Sequence, residues 1–370
     1  MKRCIFHHPA PIADSPNVGS KLRPNRMLQA LRTIGYEVDE VTGYSEERKE
    51  KIEKIKKNIK DGIIYDFVYA ENSNDPIALA DADHIPRHPF MDIAFFRFCR
   101  KNQIPVGLFY RDVQWKFPHM FNASATLWKR MILIPLFQWD LFRYRKSLDH
   151  LFLPTMIMRK YVLDTISASS LPPGGDPHHS CLERKAEASL GKKDRLSLFY
   201  VGGTSNVYDN RHLFEAVKET EYVYLTVVTH KDQWERHKKD YEPFLCDRIE
   251  ILHRSADEIA EYYESADLSV CCMSKDPYLD LAIPIKVFES VSYGTPLLVT
   301  EIDAVAEIVR REGIGWVTED RVSSMKEMLS FLKSHPDDIG KKTETTVRIA
   351  GANSWESRAR DVARILTDLR

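Results

Sequence analysis

The stretch Pro284-Ile285-Lys286-Val287-Phe288-Glu289-Ser290-Val291-Ser292-Tyr293-Gly294-Thr295-Pro296-Leu297-Leu298-Val299 reads as one short helix with both ends marked, followed at once by a strand. Proline suits the first helical turn, where a missing N–H costs nothing. Gly294 suits a left-handed residue just past the helix end, and Pro296 prevents continuation. Val287, Phe288 and Val291 share a face at helical spacing, so that face packs inward. The free N–H groups at the helix start, Ile285 among them, form an anion site, and Lys286 adds a full positive charge. Glu289 lies one turn further on, beside the anion. A cation and amides for phosphate, then a carboxylate for hydroxyls, suit a sugar nucleotide. An ordinary α/β helix with a solvated lysine and glutamate accounts for the same residues.

A chain of 370 residues predicts two domains, and 43% hydrophobic residues suffice for two cores. The net charge of −1 gives no argument for nucleic acid. Cys4, Cys99, Cys181, Cys246, Cys271 and Cys272 form no CxxC pair and no histidine spacing suited to zinc. Such scatter predicts reduced, buried thiols in a cytoplasmic protein without a metal centre. The N-terminal apolar run is too short for a signal peptide, and no apolar run is long enough to cross a bilayer.

The elements alternate from the start. Arg3–His7 reads as a strand, residues 14–27 as a loop bearing Gly19 and entering a helix that ends near Gly35, and Tyr36–Val41 as a second strand. This is one unit of an open parallel sheet, whose ligands bind beyond the carboxyl ends of the strands. Gly19 therefore lies where backbone can approach a ligand; a tight turn explains it equally. Arg48–Lys60 is an amphipathic basic helix, expected to present a solvated face, with contact to an acidic membrane surface as the alternative. Strands follow at Gly62–Ala70 and Pro105–Tyr110, the second ending in Arg111-Asp112. Leu127–Leu148 mixes Trp128, Trp139 and Phe142 with Lys129, Arg130, Arg143, Arg145 and Lys146. Such a stretch suits either a partly buried helix or the interface of an anionic bilayer. A strand at Leu151–Pro154 and a helix at Met156–Asp164 lead into a Ser-, Pro- and Gly-rich segment at 167–177, which reads as a linker.

The second half repeats the pattern. The strand Leu196–Val201 runs into Gly202-Gly203-Thr204-Ser205 and a helix from about Asn210, a further phosphate cradle. Strands at Tyr222–Thr229 and Ile249–Leu252 end at His230 and His253. Ser255 and Glu258 form a capping box. Both halves thus read as doubly wound sheets with a cleft between them.

Four segments resemble the GT-B glycosyltransferases, above all the retaining family 4 enzymes: Pro172-Pro173-Gly174; His253 through Ala266-Asp267-Leu268; Pro284 through Pro296; and Asn353-Ser354-Trp355-Glu356-Ser357-Arg358. The resemblance covers most of residues 150–370. It implies an α/β chain of two Rossmann-like, doubly wound domains facing a cleft. Residues 1–165 would bind the acceptor, 166–185 would link, 186–350 would bind the nucleotide sugar, and 351–370 would cross back as a helix. Glu289 matches the second glutamate of a paired-glutamate motif that binds ribose hydroxyls. Gly203 matches the loop near the diphosphate, and Asp112 falls where the family sets a polar side chain against the donor sugar. Asp112, Lys286 and Glu289 are thus the candidate catalytic residues. Gly19, Gly202, Gly203, Thr204, Arg211, His230, His253, Asp280, Ile285, Lys286 and Glu289 are the candidates for donor binding.

The chain departs from that pattern at two places. The motif's first glutamate falls on Leu281, with Asp280 one residue out of register, and residues 204–209 contain neither the arginine nor the lysine usual after the glycine loop. Arg211 or Lys286 would have to supply that charge. The implied reaction needs no cofactor or metal: a sugar moves from the nucleotide to a glycan or lipid-linked acceptor, with retention, in surface polysaccharide or glycoconjugate synthesis. A sugar-nucleotide 2-epimerase and a non-catalytic sugar- or lipid-binding protein stand as alternatives. Expected partners are the nucleotide sugar, the acceptor and an anionic membrane surface on the cytoplasmic side.

Overall fold

The structure, a computed structural model, describes residues 2–12, 19–187, 194–204, 208–255 and 258–370, side chains at 19–21 and 123–124 excepted. The chain divides into two compact units, residues 1–173 with 355–370, and residues 174–354. The first contains strands β1 (Arg3–His8), β2 (Glu37–Thr42), β3 (Phe67–Glu71), β4 (Val106–Phe109), β5 (His150–Leu153) and β6 (Ser167–Ser170). Between them run helices α1 (Gly19–Thr33), α2 (Ser45–Lys60), α3 (Met91–Lys101), α4 (Pro118–Ser124) and α5 (Leu127–Tyr144). The second unit opens with α6 (His179–Glu187) and holds β7 (Leu196–Val201), β8 (Val223–Val228), β9 (Ile249–Leu252), β10 (Leu268–Cys271), β11 (Leu297–Thr300) and β12 (Gly315–Thr318). Its further helices are α7 (Arg211–Lys218), α8 (Lys231–Tyr241), α9 (Ala260–Ser265), α10 (Ile285–Ser292), α11 (Asp303–Glu312), α12 (Val322–Ser334) and α13 (Pro336–Ile349). The last helix, α14 (Trp355–Thr367), returns to the first unit.

Both sheets are six-stranded, with parallel pairings throughout the described residues. The strands β3, β4, β5, β10 and β11 are buried along their whole length. Helices cover both faces of such a sheet, which is why its strands read as unbroken apolar runs. The first sheet has the order β2-β1-β3-β4-β5-β6 and the second β12-β11-β10-β7-β8-β9. The direction of winding reverses between β1 and β3 in one and between β7 and β10 in the other. A crevice opens at such a reversal, beyond the strand carboxyl ends.

In the second unit, Leu213, Phe214 and Val217 of α7 pack with Leu329 and Leu332 of α12 against one side of β7 and β8. Val287, Phe288 and Val291 of α10 pack with Val305, Ile308 and Val309 of α11 against β10 and β11. In the first unit Met27, Leu28 and Leu31 of α1 share a core with Ala359, Val362 and Leu366 of α14. A Cβ at Gly107 would come 2.7 Å from Leu366, so the glycine lets α14 lie directly on β4.

Several expectations need correction. Gly19 is the first residue of α1 and not part of a loop. The expected linker begins with a strand: Ser167–Ser170 is β6, paired with β5 at the sheet edge. Its serines have a purpose that apolar patterning hides, since Ser167 and Ser169 meet the two ring nitrogens of buried His150 at 2.9 and 2.8 Å. The boundary between units falls at 173/174, not at 165. Residues 156–161 form a 3-10 turn that stops short of the expected helix. Arg48 is buried on α2, gripping both Asp92 oxygens at 3.0 Å, so the solvated face excludes it.

Candidate active site

Pro284 stands just before α10 with extended backbone, leaving Ile285 as the first helical residue. Gly294 takes a φ of +69°, the left-handed turn that ends the helix. Ser290 Oγ donates to Thr295 O at 2.7 Å and ties the helix end to the next strand. With Val287, Phe288 and Val291 in the core, Lys286 and Glu289 share a neighbouring face, three residues apart.

That face meets the carboxyl end of β7. Gly202 follows the strand with a φ of +146°, a conformation that L side chains rarely adopt. A Cβ there would also come 2.9 Å from Lys286 Nζ and 3.2 Å from the Tyr200 hydroxyl. Tyr200 donates to Gly203 O at 2.6 Å and so orients the peptide that follows. Lys286 Nζ lies 4.2 Å from the centre of the Tyr200 ring and 5.1 Å from that of Tyr208. Lys286 is only 9% exposed, and its Nζ has no carboxylate partner among the described residues, the Tyr200 hydroxyl being the polar group that interacts with it. Burial works against its charge, but Tyr200, Cys271 and Tyr208 outweigh burial and hold the ammonium above the ordinary lysine range.

Lys286 has company. Thr204 Oγ1, Asn210 Oδ1, Thr229 Oγ1 and Gln233 Oε1 are likewise buried without a partner among the described residues. All four belong to segments that follow the carboxyl ends of β7 and β8 or lead into α7 and α8. An unpaired buried polar atom costs about 1–3 kcal/mol. Several together at the mouth of a parallel sheet mark a place that a polar ligand completes.

The remaining candidates are distributed as follows. Glu289 is half-buried, and the Tyr263 hydroxyl donates to its Oε2 at 3.5 Å. Tyr263 is held in turn by stacking on Tyr293, ring centres 4.7 Å apart. Arg211 is bound to Asp209, with Nη2 2.6 Å and Nε 2.9 Å from its two oxygens, whereas Lys286 carries no such partner. His230 stands just before α8, exposed and without a side-chain bond to the helix start. His253 donates from Nδ1 to Thr229 O at 2.8 Å. Asp280 Oδ1 accepts the Asp303 N–H at 3.3 Å at the start of α11, and burial raises its pKa. Leu281 is buried. Asp112, at the end of β4 in the first unit, accepts the Gln114 N–H at 2.8 Å. Glu258 reaches back to the Ser255 N–H at 2.9 Å, as in a capping box, but the Ser255 hydroxyl donates to the same carboxylate at 2.6 Å and does not accept the Glu258 N–H, and α9 starts only at Ala260 with Ile259 before it; residues 256 and 257, like 205–207 after the glycine pair, lie outside the described residues. Tyr200, Tyr208 and Gln233 were not legible as site residues: Tyr200 reads as strand core, and nothing local connects Gln233 to the glycines. Among the described residues no group of three or more His, Cys, Asp or Glu side chains could hold a metal ion. No helix among them is long and apolar enough to cross a membrane.

Residues 195–335 match the model of a family described as Glycosyl transferases group 1. Among solved structures, the chain is similar over its whole length to sucrose-phosphate synthase from Thermosynechococcus elongatus, with 14% identity, a TM-score of 0.63, and coverage of 100% of this chain and 99% of that one. It is similar to HepE of Anabaena in complex with UDP-glucose, with 12% identity, a TM-score of 0.63 and full coverage of both chains. A structure described as trehalose-6-phosphate from E. coli bound with UDP-2-fluoro glucose matches with 11% identity, a TM-score of 0.61 and 99% coverage of both chains. No curated protein sequence matches the chain significantly.

Proposed function

We propose that this GT-B glycosyltransferase, with its group 1 match in the second unit, binds a nucleoside-diphosphate sugar at the reversal between β7 and β10 and transfers the sugar with retention. The observation that carries the proposal is Lys286: a buried ammonium with no carboxylate partner among the described residues, beside Gly202 at the start of α10. As the bond from anomeric carbon to phosphate oxygen breaks, its electron pair leaves on the diphosphate. Lys286 and the amides opening α10 are preorganised to hold that charge, and donors of this kind act most strongly in the transition state. The acceptor hydroxyl forms the new bond on the same face and gives its proton to the departing phosphate oxygen. Glu289, oriented by Tyr263, accepts hydrogen bonds from the ribose hydroxyls. Asp112 is offered as the polar group against the donor sugar. No metal is required in this scheme, because Lys286 and the amides supply the counter-charge.

We further propose a lipid-linked acceptor, as in surface polysaccharide synthesis. What favours it is α5, whose Leu127, Trp128, Met131, Ile132 and Phe142 are exposed together with basic residues. A hydrophobic face with tryptophan and cations suits the edge of an anionic bilayer.

The donor reading is tested with UDP-, GDP- and dTDP-sugars. One of them is expected to raise the melting temperature, since a ligand specific to the folded state stabilises it. The same donor should then yield a glycosylated acceptor with the donor's anomeric configuration, in the presence of a chelator. A changed free sugar nucleotide without transfer would assign a 2-epimerase instead. Absence of binding by every donor would leave a non-catalytic protein.

A further inference from the structure

The proposed diphosphate site holds one buried cation against a ligand that carries about two negative charges. Residues 204–209 contribute no basic side chain, and Arg211 is committed to Asp209. Gln233 occupies the space that remains. It is the third residue of α8, where a glutamine side chain ordinarily turns back to the amide at the helix start. Gln233 Oε1 makes no such bond. It is buried without a partner and lies 2.9 Å from where a Cβ on Gly203 would stand. The same Cβ would come 3.3 Å from Tyr208, whose ring lies beside Lys286. Lys286 thus abuts Gly202, and Gln233 abuts Gly203. Helix α8 starts at the carboxyl end of β8, so its positive end faces the same place.

We propose that Gln233 is the neutral second arm of the diphosphate site, placing a side-chain N–H on a phosphate oxygen across the Gly202–Gly203 loop from Lys286. The inference rests on the donor reading above. A carboxamide exchanges its nitrogen and oxygen by a half-turn about its last bond, so the buried end can donate. A neutral arm satisfies the second phosphate oxygen without a second buried charge, which would carry a large desolvation cost.

The test compares the full-length protein with Gln233→Glu and Gln233→Met, titrated with UDP, GDP, dTDP and the matching nucleosides, after melting curves have established that each variant folds. Wild type is expected to bind one of the three diphosphates. Gln233→Glu keeps the shape but sets a carboxylate against phosphate, and its Kd for that diphosphate should rise about tenfold or more, with a smaller rise for Gln233→Met. Affinity for the nucleoside should stay unchanged, and added salt should shrink the Glu penalty. Diphosphate binding as tight as wild type in the Glu variant overturns the inference, as does an equal loss for the nucleoside, which would mark a merely structural side chain. Failure of wild type to bind any of the three diphosphates overturns the donor reading itself. If the Glu variant does not fold, Gln233→Met decides alone by the same diphosphate-to-nucleoside comparison.

Discussion

Lys286 illustrates how a single residue acquires a role from its surroundings. Its neighbours are ring faces, the Tyr200 hydroxyl, a thiol and glycine backbone, and none of the described residues gives its Nζ a carboxylate partner. A cation held over aromatic faces keeps its charge while remaining available to an anion. Replacing it with alanine should therefore raise the Kd for a nucleoside diphosphate about 10- to 100-fold, the size of a lost hydrogen bond to a charged group. The Kd for the nucleoside should hardly move. Calorimetry on both ligands checks this, and equal losses would remove Lys286 from the phosphate site. The same titration on Glu289→Gln should show the reverse bias, with a loss that persists for the nucleoside because ribose hydroxyls are common to both.

At the scale of the element, α5 combines two characters that its sequence presents together. Phe137, Asp140, Leu141 and Tyr144 face the core. Asp140 accepts the Ile77 N–H at 2.8 Å, and Phe137 stacks on Trp115 at 5.2 Å. The opposite face exposes Trp128 and Met131, at 61% and 72%, at one end and Phe142 at the other. A partly buried helix and an interfacial one are thus the two faces of one element. Each basic residue close to an anionic surface contributes about 1 kcal/mol, and the apolar side chains add to that. Flotation with phosphatidylglycerol vesicles should recover the protein at low salt and lose it as salt rises. Trp128→Ser together with Met131→Ser should abolish recovery without lowering the melting temperature, since neither side chain is buried. A protein that never floats at low salt would make a soluble acceptor the better assignment.

For the whole molecule, the two units differ in how the chain builds them. The second is one uninterrupted run, residues 174–354, while the first is closed by the returning α14. A fragment of 174–354 is therefore expected to fold alone and to bind the nucleotide sugar within about tenfold of the full chain's affinity, and to lack transferase activity. A fragment of 1–173 should be markedly less stable, because Trp355, Ala359, Val362 and Leu366 belong to its core. Circular dichroism and calorimetry on the two fragments check both statements. A 174–354 fragment that folds yet binds no donor would assign part of the donor site to the first unit.

Local signals in the chain sufficed for the alternation of strands and helices, the glycine pair after β7 and the α10 motif. Each rests on short-range physics: caps, breakers and the period of apolar residues. Three things had to wait for the fold. The edge strand β6 is made of serines that bond His150, so burial left no apolar pattern to read. The order of strands, and with it the reversal between β7 and β10, is set by pairings between segments some seventy residues apart, as where Leu268 meets Leu198. The choice between Arg211 and Lys286 was equally undecidable from spacing. In the fold Asp209 pairs with Arg211, while Gly202, lacking a Cβ, leaves room for Lys286, and Gln233 comes beside Gly203 because α8 starts where β8 ends.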